Sequence, residues 1–192
     1  MTVGPVLETP RLILRPPVAG DLDGYVALMS DQEHVRFIGG AQPAGTVWRQ
    51  MMTVAGAWSL QGFAFFSVIE KESGRWVGRL GPWEPHGWPG HEVGWSLLKS
   101  EAGKGYASEG SAASVDWAFR ELGWDRVIHC IAPENAPSQK VAERLGSTNL
   151  GPTRMPAPYE ELPVDAWGQT REQWLENRKR FPWLDEVVVR AS

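Results

Sequence analysis

The segment Ser100-Glu101-Ala102-Gly103-Lys104-Gly105-Tyr106-Ala107-Ser108 sets two glycines one residue apart just before a long run with helical spacing. Gly103 and Gly105 permit a tight turn with exposed backbone N–H groups, and with the positive end of a helix dipole these make an anion site whose natural occupant is phosphate. Two familiar phosphate-binding patterns do not fit. A dinucleotide fingerprint needs a third glycine where Ser108 stands, and a P-loop needs Ser or Thr directly after Gly-Lys, where Gly105 stands. Taken alone, the segment is a weak signal and reads more readily as a plain structural turn. A second concentration of chemistry is the Pro/Gly/Trp loop of residues 83–90, where Trp83 and Trp88 can wall a pocket for an acceptor or simply anchor the loop. His86 and His91 flank it, placed to relay protons, to line that pocket, or to face solvent. No pair of histidines has metal-ligand spacing, so no metal is expected. His129 and Cys130 sit inside an apolar run and are read as core.

Elements must carry these groups. Residues 11–15 alternate charged and aliphatic side chains before Pro16-Pro17 and predict a first strand. Apolar positions at helical spacing predict helices over 21–29 and 46–60. Residues 63–70 and 75–83 predict two strands joined by Glu72-Ser73-Gly74, and 91–99 a fourth. Tyr106, Gly110, Ala113 and Trp117 define one face of a helix over 105–122, with Gly123 to end it. Residues 126–132 read as a buried fifth strand, followed by a short helix with Asn135 as N-cap, Pro137 in its first turn and Gly146 after its last. Strands at 150–155 and 162–168 and a helix from Thr170, with Thr170 and Gln173 as a capping box, complete a mixed α/β or α+β sheet.

Composition bounds the reading. The chain has 192 residues, 42% hydrophobic and 22% charged, which fits one folded domain over residues 1–192 and excludes a disordered polyelectrolyte. Nineteen basic against 23 acidic side chains, a net charge of −4, argue against nucleic acid as partner. The apolar run 62–69 is far short of the roughly 20 residues of a membrane span, so no membrane is expected. The N-terminal residues lack a secretory pattern, and with the single Cys130 they point to the cytoplasm. Phe181, Trp183, Leu184 and the valines at 187–189 predict either a homodimer contact or a last strand packed on its own sheet.

Read together, His-Glu-Val-Gly-Trp at 91–95, Gly-Lys-Gly-Tyr-Ala-Ser-Glu at 103–109, Trp-Ala-Phe-Arg-Glu-Leu-Gly at 117–123 and Pro-Glu-Asn-Ala-Pro-Ser at 133–138 resemble the GNAT superfamily of acyl-CoA-dependent N-acetyltransferases. More narrowly, they resemble its ribosomal-protein N-terminal (alanine and serine) acetyltransferases. The resemblance extends to Leu-Glu-Thr-Pro-Arg-Leu-Ile-Leu-Arg at 7–15 and Trp-Gly-Gln-Thr-Arg-Glu-Gln-Trp at 167–174, and so spans nearly the whole chain. It implies a mixed, strongly twisted sheet of about seven strands flanked by helices, splayed between the fourth and fifth strands, with the thioester arm of acetyl-CoA in the gap.

By position, the resemblance implies that Gly103, Lys104, Gly105, Tyr106, Ala107 and Ser108 form the pyrophosphate loop. It implies that the backbones of Leu97 and Leu98 pair with the pantetheine arm, and that Asn135 contacts that arm besides capping its helix. Ala102 departs from the Arg or Gln of many relatives, removing one side chain from the phosphate loop. Glu92 matches the branch's glutamate beside the cleft, and desolvation by Trp95 or Trp88 would raise its pKa and suit it to be the general base; the alternative is an exposed strand carboxylate. Ser138 matches a serine near the cofactor sulfur, where a hydroxyl without a basic partner positions a hydrogen bond or a water rather than giving up its proton. The tyrosine of other superfamily members is Ala142 here, which excludes a tyrosine acid at that position. The function implied is acetyl transfer from acetyl-CoA to a primary amine in a ternary complex, with Trp83, Trp88 and His91 around the acceptor. That acceptor is a protein N-terminus or a small amine: a polyamine, an amino acid or an antibiotic. The alternative is a non-catalytic acyl-CoA-binding protein that keeps the cleft.

Overall fold

In the computed structural model, which describes residues 4–190, the chain begins with two short strands, β1 (Val6–Glu8) and β2 (Leu12–Arg15). Leu12 and Leu14 are buried while Ile13 and Arg15 are less so, the period-2 pattern expected of a strand with one covered face. Helices α1 (Leu22–Leu28) and α2 (Ala44–Gln61) follow, the second ended by Gly62 in the left-handed region. Then come β3 (Phe66–Glu70), β4 (Trp76–Trp83), β5 (Glu92–Leu97), α3 (Tyr106–Glu121) and β6 (Arg126–Ile131). The chain closes with α4 (Ala136–Leu145), β7 (Thr148–Thr153), β8 (Val164–Thr170), α5 (Arg171–Asn177) and β9 (Val188–Arg190).

Among the described residues nine strands form one sheet in the order β7-β8-β6-β5-β4-β3-β2-β1-β9. The count corrects the expected seven. Val6–Glu8 lies between Pro5 and Pro10, too short to show alternation, and becomes a strand only by pairing with β2 and β9. The tail valines take the second expected course, as β9 on its own sheet, with Leu184 buried and Phe181 against Trp174. β3 starts at Phe66 rather than at 63 because side chains take the preceding carbonyls: Trp58 Nε1 donates to Phe65 O and Gln61 Nε2 to Phe63 O, both at 3.0 Å.

Every neighbouring pair is antiparallel except β5–β6, which is parallel and joined at a single register point, Glu92 opposite Ile128. The strand before the gap is the fourth of the sequence-predicted strands and, counting β1, the fifth here. Beyond that point the two strands part, as the resemblance implies.

Alternation assigns side chains to the two faces. Leu12, Leu80 and Trp95 share one face, and a Cβ on Gly110 of α3 would strike Leu80 at 2.5 Å and meet Leu12 at 3.5 Å, so α3 packs there. Arg79 opposite Ser96, Gly81 opposite Gly94 and Trp83 opposite Glu92 lie on the other face, on the side of α1, whose Tyr25 packs on Trp76 at 5.1 Å. The gap therefore connects an α3–α4 side to an α1 side.

Candidate active site

Parting two parallel strands leaves backbone groups without ladder partners, and burial makes each of them costly unless something replaces the bond. Ile128 N–H still reaches His91 O at 2.8 Å, at the single register point. Past it, side chains take over. Glu92 Oε1 accepts from Cys130 N–H (3.1 Å), and His129 Nδ1 donates to Val93 O (2.6 Å). A carbonyl can only accept, so His129 carries its proton on Nδ1, and Nε2 accepts from Ser147 Oγ at 3.0 Å. Ser147 Oγ in turn accepts from Gln169 Nε2 at 3.0 Å, which fixes the chain of donors. His129 is 1% exposed, and desolvation lowers its pKa to about 4, so it is a neutral structural clasp and the core residue expected from its apolar run.

Glu92 is 7% exposed, not a surface carboxylate. Burial pushes its pKa up to about 7, against the lowering effect of hydrogen bonds from Cys130 N–H and from Trp88 Nε1 at 2.5 Å. Of the two tryptophans expected beside it, Trp88 makes the contact. Trp95 points to the opposite face, where its Nε1 donates to Ser138 Oγ at 3.3 Å. That bond uses a lone pair of the hydroxyl and leaves its proton free, among the described residues, to be donated. Cys130, the single thiol, shares the site, and burial together with the nearby Glu92 carboxylate raises its pKa, keeping it protonated.

A cleft of about 870 Å³ runs along this opening and takes in residues of both faces, from Gly103, Ser108 and Ser138 to Arg79, Trp83 and Glu92. At one end is the glycine turn. Gly103 and Gly105 have φ of +80° and +83°, no side chain caps the N-terminus of α3, and its first N–H groups have no intrahelical acceptor. Ser108 Oγ is buried there without a hydrogen-bond partner. An orphaned hydroxyl beside free N–H groups fits a phosphate-bearing ligand.

The other expected residues divide. Lys104 does not line the cleft: its ammonium is held by Glu101 at 2.8 Å and Arg11 Nη1 clamps its carbonyl at 2.9 Å. The Tyr106 hydroxyl turns away to Glu70, leaving its N–H to the turn. Asn135 caps α4, accepting from Ser138 N–H at 3.3 Å, and also lines the cleft. Leu98 requires a correction: its N–H goes to Val77 O, on the β4 side and away from the gap, and its carbonyl accepts from Glu101 N–H, both at 2.9 Å, so its backbone does not present a strand edge to an arm. In the β4–β5 register the backbones that face the gap are Val93, Trp95 and Leu97, and Leu97 O already accepts from His34 Nε2 at 2.7 Å.

Trp83 lines the cleft, stacked on Phe65 at 4.9 Å and 13°. Trp88 meets Tyr159 edge-on at 6.5 Å. His91 is the second correction. Adjacent to Glu92 on the strand, it faces the opposite way, stacked on Trp124 at 4.5 Å with Nδ1 at 2.6 Å from Glu84 Oε2, outside the cleft. Missed altogether were Arg79, Phe65 and Tyr159; the last comes from the Pro-rich connection between the strands expected at 150–155 and 162–168.

Gly105→Val tests the turn. Its Cβ would lie 3.3 Å from Arg11 Nη2 at a φ that costs an L side chain about 1–2 kcal/mol. If the turn holds the diphosphate of CoA, as the resemblance implies, roughly tenfold weaker CoA binding is expected by calorimetry.

Comparison with known proteins gives a consistent picture. The acetyltransferase (GNAT) domain family matches residues 11–148. Over 149 residues the chain is 32% identical to the uncharacterized N-acetyltransferase p20 of Bacillus licheniformis, covering 76% of this chain and 83% of that protein. A match to the uncharacterized N-acetyltransferase YnaD of Bacillus subtilis, 31% identical over 86 residues, covers 45% of this chain and about half (51%) of that relative. The solved acetyltransferase of Agrobacterium tumefaciens superposes with a TM-score of 0.76 at 28% identity, covering 86% of this chain and 94% of that one.

Proposed function

The chain belongs to the GNAT acetyltransferase family, and from that premise we propose that it transfers the acetyl group of acetyl-CoA to a primary amine, both bound at once, with Glu92 as general base. The observation that carries the reading is a buried carboxylate with a pKa of about 7 at the point where the sheet parts, on the side of the gap away from the glycine turn. Acetyl-CoA supplies an acetyl thioester. The uncapped N-terminus of α3 and the Ser108 hydroxyl would hold its diphosphate, and the backbones of Trp95 and Leu97 would face its arm.

An acceptor amine arrives as an ammonium and must lose a proton before it can attack. The Glu92 carboxylate, ionised for about half of its population near pH 7, takes that proton directly or through a water. Ser138, with its oxygen fixed by Trp95 Nε1 and its own proton free, donates a hydrogen bond to the negative charge that develops across the gap. It stays a neutral donor, so Ser138→Ala should lower kcat by only about tenfold. The protonated Cys130 thiol is a poor nucleophile, which favours direct attack over an acetyl-cysteine intermediate. A cytoplasmic setting suits this unpaired thiol.

The test is release of CoA thiol from acetyl-CoA across a panel of peptide N-termini, polyamines and amino acids, with the acetylated amine identified by mass. Mixing the protein with acetyl-CoA alone should leave its mass unchanged, whereas a gain of one acetyl group on Cys130 would replace direct attack. CoA binding without a product from any amine would return the chain to a non-catalytic acyl-CoA-binding role.

A further inference from the structure

Four arginines are withdrawn from full exposure, and three of them have oxygen partners. Arg15 forms a two-pronged pair with Asp21 at 2.7 and 2.8 Å, Arg171 donates to the carbonyls of Trp124 and Phe119, and Arg178 pairs with Asp116 at 2.9 Å. Arg79 is the exception. Among the described residues no carboxylate, carbonyl or hydroxyl accepts a hydrogen bond from its guanidinium, which lies over the rings of Phe65 at 5.1 Å and Tyr25 at 5.9 Å and also interacts with Tyr159. It lines the cleft. A guanidinium held among aromatic rings without a counter-charge is costly, and a ligand anion would remove that cost while using its fork of donors.

The register says which ligand end that anion would be. Arg79 is opposite Ser96 and Trp83 opposite Glu92, so Arg79 and Glu92 share a face, the backbones of their rows four residues or about 13 Å apart. Their side chains shorten the span. Phe65 and Glu92 Oε1 both crowd Gly94, within 3.2 and 3.3 Å of where its Cβ would be, and the same Phe65 ring neighbours Arg79. An amine delivered to Glu92 therefore has Arg79 further along the same wall, within the roughly 13 Å between their rows, which a ligand about two residues long, roughly 7 Å, spans once each end adds a hydrogen bond of about 2.8 Å.

We propose that Arg79 binds a carboxylate of the acceptor, so that the acceptor is an amine with an acid group about a dipeptide's length away. This rests on the acetyl-transfer reading and narrows it. Polyamines, which bring no anion, are disfavoured. The carboxylate has two sources: the C-terminus of a free dipeptide, or an Asp or Glu side chain at the second position of a longer peptide.

The test uses product analogues, so that it needs no turnover. Calorimetry on the CoA-loaded protein compares N-acetyl-Ala-Glu-amide with N-acetyl-Ala-Gln-amide, and N-acetyl-Ala-Ala with its C-terminal amide. We expect the acid of at least one pair to bind about tenfold or more tightly than its neutral partner, the pair identifying the source. In Arg79→Gln that preference should collapse to less than about threefold, and Arg79→Lys, which keeps the charge but not the fork, should retain part of it. Equal affinities within both pairs, no measurable binding of either acid, or a preference that survives in Arg79→Gln overturns the proposal. Should Arg79→Gln fail to fold, the wild-type ratios and Arg79→Lys still decide. Failure of acetyl transfer, in contrast, would show in the thiol assay and leave these ratios as they are.

Discussion

Glu92→Gln should lower kcat by about 100-fold or more at pH 8, the range removed when a general base is lost, with CoA affinity nearly unchanged because the glycine turn lies across the gap. The amide keeps the side chain's volume but cannot take a proton. The sign of the pH dependence follows from the same group. In the wild type the base works only when ionised, so log(kcat/KM) should rise with pH through an inflection near the Glu92 pKa of about 7 and then level off. Steady-state kinetics with one fixed acceptor between pH 5.5 and 8.5 checks both statements. Activity within threefold of wild type, or an inflection that survives in the variant, would remove Glu92 from its role.

The fold was legible wherever a local rule decided it. Tyr106–Glu121 is helical because its apolar stripe is periodic and ends at Gly123; α4 begins at Asn135 and ends at Gly146 because a cap and a left-handed glycine mark the limits. Thr170 and Gln173 form the capping box that their spacing predicts. What stayed hidden was set at a distance. Val6–Glu8 carries no pattern of its own, and only β2 and β9 make it a strand.

In the site, the cofactor turn could be read because its chemistry is backbone chemistry, written in glycine spacing. The acceptor side could not, because it depends on which way each side chain faces. Placing a strand one residue earlier or later exchanges its faces, and so His91 was assigned to the pocket that its neighbour Glu92 enters. Arg79 gave no signal, since an arginine in a strand is ordinary until its missing partner is seen. Tyr159 reaches the cleft from a Pro-rich stretch whose path no periodicity describes.

The second large effect concerns stability, and it pits Glu92 against His129 in the same opening. Unfolded, the carboxyl titrates near 4.5 and the imidazole near 6.5; folded, burial moves them in opposite directions, to about 7 and about 4. For Glu92 the raised value means that the folded state holds a proton the unfolded state has lost between pH 4.5 and 7. Its contribution is fully present below pH 4.5 and is lost as pH rises through 7, by about 3 kcal/mol. For His129 the lowered value means that the unfolded state holds the extra proton between pH 4 and 6.5, so its contribution is present above 6.5 and is lost as pH falls to 4, by a similar amount.

Between pH 4.5 and 6.5 the two slopes, each about 1.4 kcal/mol per pH unit, cancel. The opening then contains no net charge, and the wild type shows neither dependence. Single variants should expose them. Relative to wild type, Glu92→Gln should gain about 1.4 kcal/mol per pH unit across this window, and His129→Gln should lose about the same, by urea unfolding at pH 4.5, 5.5 and 6.5. Hydrogen bonds lost in either variant shift its curve by a constant and leave the slope. Two flat differences would mean that water reaches both groups, and Glu92 would then lack the desolvation that makes it a base at neutral pH. The same burial thus has two consequences: above pH 7 it costs the fold the energy of an ionised carboxylate, and that ionised carboxylate is the species able to take a proton from an amine.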